Sequence, residues 1–212
     1  MTILSDYRTA QTPVRNQGSR SACVGFAVAA AHEWMRPELL GSVEDVLWAA
    51  HQIGGNPHLE RTSVQFALQG LQQHRHAHET AWPYGSPAFP AERPTEAKDE
   101  QNQAELVVWR RMPSLDLDTV ADEIAPGHAV VLTVGVVLGA WPQNGYVDAP
   151  AGRKTPGAHA VLAVGTEDVG SEIRIIIKNS WGVGWGANGY GFVSSRYLDQ
   201  YGRAGHVLEP AI

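Results

Sequence analysis

The chain has 212 residues, a mass of 22.9 kDa and a formal net charge of −6, with 43% hydrophobic and 18% charged residues. This composition is typical of a globular protein that can bury a sizeable core, and the negative charge argues against a nucleic-acid binder. The longest apolar stretch, 129–141, is too short to span a bilayer, and the N-terminal residues lack the basic and apolar segments of a secretory signal.

The first half of the chain is predicted to be helical. Good helix formers cover about 22–35, ending ahead of Pro37, and further helical segments are expected at 43–52 and 63–73. A polar, proline-rich stretch over 82–103 then predicts a long surface loop.

The second half is predicted to be mostly strand. A short helix is expected at about 118–124, and residues typical of strands occur at 129–137, 159–165, 173–178 and 190–193. Helices followed by strands favour an α+β fold in two lobes.

The single cysteine, Cys23, stands six positions after Gln17 and directly before the first predicted helix. A helix N-terminus offers unpaired N–H groups and the positive end of the helix dipole, which stabilise a thiolate and an oxyanion. A nearby glutamine can add a side-chain donor. The alternative is an inert buried cysteine, because a free cysteine often packs as a small apolar residue.

Two later segments carry candidate partners for Cys23. His159 follows it by well over a hundred residues in a strand-like segment, and Asn179 comes slightly later within Asn-Ser-Trp-Gly. Each residue alone is ordinary, since strands contain histidines and turns contain asparagines. Only jointly, with Gln17 and the segments that flank them, do these residues indicate catalysis.

These segments resemble the papain family of cysteine peptidases. The similarity lies in 12–18, TPVRNQG, which leads into the family's active site, and in 178–190, KNSWGVGWGANGY, which is close to its C-terminal signature. The resemblance implies one papain-like domain, 1–212, with the active-site cleft between a helical lobe and a β-barrel-like lobe. We expect the helical lobe at about 11–103 and the β lobe at about 104–212.

The resemblance also assigns roles. Cys23 is expected to be the nucleophile, as a thiolate paired with the imidazolium of His159, because a thiol of pKa about 8.5 is mostly protonated at neutral pH. Asn179 would orient the imidazole and Trp181 would cover the hydrogen bond between them. Gln17 and the N–H of Cys23 would bind the oxyanion. We expect hydrolysis of a peptide or protein substrate through an acyl-enzyme, with no cofactor and no metal.

Two alternatives stay open. A peptide ligase or transpeptidase would use the same nucleophile and base but let an amine resolve the acyl-enzyme. A catalytically silent peptide-binding module would keep the cleft alone, although the intact set of catalytic residue types argues against it.

The chain departs from the family at several positions. Arg20 stands where the family usually has a disulfide-forming cysteine, and one cysteine allows no intramolecular disulfide, so we expect a reducing, cytoplasmic location. Arg61 and Thr62 stand where a substrate-binding glycine pair is usual. With Ala158 and Trp181 they are the candidate substrate-binding residues, and their side chains leave the specificity open.

Two other motifs match ligand-binding patterns, but we do not expect either of them to bind a ligand. The G-x-G-x-x-G match at 184–189 precedes a predicted strand instead of a helix, so it is expected to be a turn. The alternating histidines His74, His76 and His78 are expected to lie on a solvated segment and not to bind a metal.

The N-terminal segment bears on regulation. Only eleven residues precede Thr12, so we expect no folded inhibitory prodomain. Control would then come from narrow specificity, restricted expression or a regulatory partner protein.

Overall fold

The computed structural model describes residues 2–56, 59–86, 92–150 and 155–210. Its α-helices are α1 Cys23–Met35, α2 Val43–Ile53, α3 Val64–His74, α4 Thr95–Lys98, α5 Leu117–Ile124 and α6 Ser195–Tyr201. Its strands are β1 Thr2–Asp6, β2 His76–Ala77, β3 Gln103–Ala104, β4 Trp109–Arg111, β5 Ala129–Val136, β6 Tyr146–Val147, β7 Gly157–Asp168, β8 Ile173–Lys178, β9 Tyr190–Ser194 and β10 Gly202–Leu208. Within these ranges, none of the helices has the length and apolar character needed to cross a membrane.

Helix α1 is buried along almost its whole length because it packs between α2, α3 and the sheet. Small residues let the helices approach one another. A Cβ atom at Gly25 would lie 2.8 Å from the Val43 side chain, and one at Gly70 would lie 2.2 Å from the Ala49 carbonyl oxygen. Any larger residue at these two glycines would push α1, α2 and α3 apart.

Strand β7 is the centre of an eight-stranded sheet, in which seven strands follow the order β4-β10-β5-β7-β8-β9-β6 and the eighth, β1, pairs with β7 alone. Strands β5 and β1 pair along one edge of β7, and β8 pairs along the other. The sheet is covered on both faces, since Val131 packs with the helices α1 to α3 whereas Leu132 packs with α5 and α6. This explains why β5 is a continuous apolar run instead of an alternating one.

Buried ion pairs strengthen the helical half. Each of three fully buried carboxylates pairs with an arginine that is at most about one-fifth exposed. The pairs are Arg15 with Glu33, Arg20 with Glu44, and Arg93 with Asp45. A buried carboxylate needs such a partner, because its desolvation is otherwise costly.

Most of the predicted elements are confirmed, with α1, α2, α3 and α5 and strands β5, β7, β8 and β9 close to their expected positions. The segment 184–189 is followed by β9, as the turn interpretation requires. The loop prediction for 82–103 was partly wrong, since Trp82 is fully buried and the segment contains α4 and a 3-10 helix, Glu100–Asn102. Strands β1 and β10 and helix α6 were not predicted.

Candidate active site

Cys23 is the first residue of α1, and its side chain is half-buried. The N-cap of this helix is Ala22, which has no side-chain acceptor, whereas four other α-helices in the described ranges are capped by a serine or aspartate side chain. The capping residues are Ser42, Ser63, Asp116 and Ser194. The first N–H groups of α1 are therefore left without a side-chain cap, beside the thiol.

Cys23 and His159 line the same cleft, which has a volume of about 490 Å³. One wall comes from the start of α1 and from the segment leading into α3, which includes Arg61 and Thr62. The other comes from β5, β7 and β10 and includes Ala158. Five of the eight site residues proposed from the sequence therefore line this cleft.

Asn179 fixes the imidazole of His159. The Nε2 atom of His159 lies 2.8 Å from Oδ1 of Asn179, and the same Oδ1 accepts the N–H of Ser180 at 2.8 Å. Because an amide oxygen only accepts, Nε2 must carry the proton of the neutral ring. The other nitrogen, Nδ1, is then the one that can exchange a proton with a neighbouring group.

Two indole rings enclose the imidazole. Trp181 stacks on His159 with ring centroids 4.9 Å apart, and Trp141 meets it edge-on at 5.3 Å. Trp181 therefore lies behind the imidazole and is not among the residues that line the cleft. Sequence reasoning missed Trp141, whose position just after an apolar strand gave no functional signal. Its Nε1 donates to the Tyr197 hydroxyl at 2.8 Å, which holds the ring in place.

Burial shifts the pKa of both Cys23 and His159, the pair expected from the sequence to carry out catalysis. Desolvation raises the pKa of the Cys23 thiol, although main-chain hydrogen bonds, first that at Ala160, act in the opposite direction. Burial lowers the pKa of His159 to about 4, against a smaller raising effect of Asn179. Both shifts favour the neutral thiol and imidazole and oppose the thiolate expected from the sequence. A thiolate and an imidazolium placed side by side would attract each other and so favour the charged pair. Two such groups would then titrate as a unit.

The amide of Gln17 is oriented by its neighbours. Oε1 accepts from the Ser180 hydroxyl at 2.6 Å, and Nε2 donates to the Arg20 carbonyl at 2.7 Å. The Tyr84 hydroxyl also donates to the main-chain carbonyl of Gln17 at 2.9 Å. Gln17 is not among the cleft-lining residues, but one of its two Nε2 hydrogens is not used by these contacts. Ser180 and Tyr84 were not predicted from the sequence.

Charged side chains hold the loop that leads to Cys23. The Arg20 guanidinium binds Glu44 and Glu60 and lies 4.4 Å above the ring centre of Tyr84. Glu60 also accepts the main-chain N–H of Ser21 at 2.9 Å. The loop is thereby fixed on both sides of the residue that replaces the family's cysteine.

Across the described ranges, no cluster of three or more His, Cys, Asp or Glu side chains could hold a metal ion. The prediction that His76 lies on a solvated segment was wrong, because its side chain is fully buried. Its Nδ1 atom lies 2.9 Å from Nδ1 of His32 on α1. His76 therefore contributes to packing against α1.

The sequence was compared with known proteins. A family model described as papain family cysteine protease matches residues 4–210. Chymopapain of Carica papaya is 30% identical over 199 residues, which is 87% of this chain and 53% of that protein. Cathepsin J of Mus musculus is 28% identical over 215 residues, which is 95% of this chain and 62% of that protein. The chain thus spans about half to two-thirds of the length of these two relatives.

Solved structures share the fold. Xylellain, a cysteine protease from Xylella fastidiosa, superposes with a TM-score of 0.81 at 24% identity, covering 95% of this chain and 84% of that one. Digestive procathepsin L 3 from the larval midgut of Tenebrio molitor gives a TM-score of 0.77 at 20% identity, covering 97% of this chain and 69% of that one. The two-lobe α+β fold predicted from the sequence is confirmed.

Proposed function

The chain belongs to the papain family of cysteine proteases, and we propose that it hydrolyses peptide bonds through Cys23, His159 and Asn179. The observation that carries this proposal is the 2.8 Å contact between His159 Nε2 and Asn179 Oδ1, in a protein whose single thiol lines the same cleft. The contact leaves His159 Nδ1 as the nitrogen that accepts a proton from the nucleophile and later returns it.

The first half of the proposed reaction forms a thioester. The Sγ atom of Cys23 attacks the carbonyl carbon of the peptide bond, and its proton passes to Nδ1 of His159. The oxyanion accepts hydrogen bonds from the N–H of Cys23 and from the unused Nε2 hydrogen of Gln17. The C–N bond then breaks, and His159 delivers its proton to the leaving amine.

The second half releases the acid product. His159 takes a proton from a water molecule as that water attacks the thioester. The C–S bond then breaks, and His159 returns the proton to Sγ, which regenerates the thiol. Asn179 holds the His159 imidazole in one orientation through both halves of the reaction. The indoles of Trp141 and Trp181 shield the hydrogen bond between His159 and Asn179 from water, which strengthens it.

A peptide library tests this proposal. The protein, kept reduced, is incubated with the library in heavy-oxygen water, with and without added amine acceptors, and the products are analysed by mass spectrometry. Hydrolysis puts one heavy oxygen into each new C-terminus. The matched control is Cys23→Ser, which keeps the size of the side chain and removes the thiol.

The other outcomes identify the two alternatives. Products joined to the amine acceptor, without heavy oxygen, would identify a ligase or transpeptidase. Peptides that bind to the protein but stay intact would identify a binding module. Cleavage that is equally fast in Cys23→Ser would exclude Cys23 as the nucleophile.

A further inference from the structure

We propose that the cleft selects substrates with an acidic side chain, aspartate or glutamate, near the bond that is cleaved. This inference rests on the proposed function and names the substrate class for that same site. Its basis is the charge of the cleft walls, which differs in sign from the charge of the whole chain.

The described residues that line the cleft include three arginines, Arg61, Arg111 and Arg203, and no aspartate or glutamate. The whole chain carries a formal net charge of −6. A local excess of positive charge inside a cleft focuses the electric field there, because the surrounding protein has a low dielectric constant. The cleft therefore attracts an anionic group although the protein as a whole repels one.

The three cleft arginines also differ from the others in their partners. Nine further arginines in the described ranges each form an ion pair with a carboxylate: Arg8, Arg15, Arg20, Arg36, Arg75, Arg93, Arg110, Arg174 and Arg196. Within the same ranges Arg61 and Arg111 have no such pair, and Arg203 donates only to the neutral hydroxyl of Thr155, at 2.7 Å. Among the arginines that the structure describes, the three in the cleft are thus the ones whose charge no carboxylate compensates.

The fold places these charges on both walls. Arg61 lies just before Ser63, the N-cap of α3, on the helical side. Arg111 is the last residue of β4 and pairs across the sheet with His206 of β10, the strand that also carries Arg203. The helical wall of the cleft therefore carries one arginine, and the sheet wall carries two.

Guanidinium groups suit a carboxylate ligand. Arginine presents a planar fork that binds the two oxygens of a carboxylate together, and it stays charged at all relevant pH values. A glutamine side chain has nearly the same shape as glutamate but only one acceptor oxygen and no charge. A lysine side chain would be repelled, so the cleft both attracts the acid and rejects the base.

The test compares peptides that differ at one position only. Glutamate, glutamine or lysine is placed in turn at each of three positions on either side of the cleaved bond, and kcat/KM is measured at low salt. At one position at least, glutamate should exceed glutamine by about tenfold or more, with lysine slowest. The preference should shrink at high salt, because ions screen the cleft charges.

Variants identify the source of the preference. Arg111→Gln and Arg61→Gln, on opposite walls, should each reduce the ratio of glutamate to glutamine, and Arg111→Glu should favour lysine. Arg61 and Arg111 are both exposed, so at least one of these three variants is expected to fold normally. The matched control is Arg196→Gln, which removes the same charge from a surface ion pair with Asp148 outside the cleft. It should leave the ratio unchanged.

The outcomes separate this inference from the proposed function. Equal cleavage of glutamate and glutamine peptides would overturn the inference while the protease activity stands. If no peptide is cleaved, the proposed function fails, and the inference is then tested by calorimetric binding of the same peptides to Cys23→Ser. Tenfold tighter binding of the glutamate peptide would support it, and equal binding would overturn it.

Discussion

Arg20 and Glu60 form an ion pair in the loop that leads to Cys23, with Nε of Arg20 2.6 Å from Oε1 of Glu60. Arg20 stands where the papain family usually has a disulfide-forming cysteine. The loop that positions Cys23 is therefore held by charge, through Arg20 and the two carboxylates that it binds.

The Arg20 cluster should contribute strongly to stability. Arg20→Met leaves the fully buried carboxylate of Glu44 without its cation, so the free energy of unfolding should fall by about 3–5 kcal/mol. Glu60→Gln should cost only about 1 kcal/mol, because an amide oxygen still accepts the N–H of Ser21. Urea denaturation measures both. Adding Glu44→Gln to Arg20→Met should recover part of the loss, and equal costs for the two single variants would contradict this account.

The second prediction concerns the ion pair of Cys23 and His159. Burial raises the pKa of Cys23, so in His159→Ala, where no imidazolium remains, alkylation by iodoacetamide should accelerate only at alkaline pH. In the native protein we expect the imidazolium to stabilise the thiolate, so the midpoint of the rate profile should lie at lower pH. The control is His128→Ala, which removes a partly exposed histidine. A midpoint that is the same in His159→Ala would exclude the ion pair.

The third prediction concerns the oxyanion donor. Gln17→Ala should lower kcat on the order of 10²–10³-fold, equivalent to about 2.7–4 kcal/mol, because one donor to the oxyanion is lost. Thermal stability should change little. Gln52→Ala, at an exposed position on α2, is the matched control. Unchanged turnover in Gln17→Ala would remove this residue from the mechanism.

Ser180 is predicted to act as a positioning residue for Gln17. Its hydroxyl donates to Oε1 of Gln17, so it decides which end of the amide faces away from the reacting atoms. Ser180→Ala should lower kcat roughly tenfold with little change in KM, a fraction of the loss expected for removing the donor itself. Ser180→Thr keeps the hydroxyl and should restore most of the rate. Equal kcat in the alanine and threonine variants would argue against this role.

Acid should destabilise the protein partly through His206. Burial lowers its pKa to about 4, below the value of about 6.5 in an unfolded chain. Between these two values the unfolded state binds more protons, so the free energy of unfolding falls as the pH decreases. His206→Leu loses no hydrogen bond, since neither ring nitrogen has a partner. From pH 7 to pH 5 the native protein should lose on the order of 1–2 kcal/mol more than this variant in urea denaturation.

Short sequence patterns were sufficient to propose the catalytic set. Cys23, His159 and Asn179 each lie in a short segment with a recognisable pattern, and the elements that carry them have strong helical or apolar signals. Strand β10 has weak strand signals, since Gly202, Arg203 and Gly205 interrupt its apolar residues. Its position depends on pairing with β5 and β4, which is a long-range interaction.

The residues that hold Arg20 and Gln17 in place were also not predictable, because their contacts too are long-range interactions. Glu60 is forty positions from Arg20, and the Tyr84 hydroxyl reaches Gln17 across sixty-seven. No pattern in the neighbouring sequence distinguishes a carboxylate that binds such an arginine from one that is solvated. The same holds for the cleft arginines, because only the three-dimensional arrangement reveals which arginines of the chain form no ion pair with a carboxylate.

The stacking of Trp181 on His159 has an optical consequence. A protonated imidazole held against an indole face interacts with its π electrons, and it quenches indole emission more than a neutral ring does. The chain has seven tryptophans, so the difference between the native protein and Trp181→Phe isolates this signal. Rapid-mixing fluorescence can then time the arrival and departure of a proton at His159 within a single turnover, without a dye on the substrate.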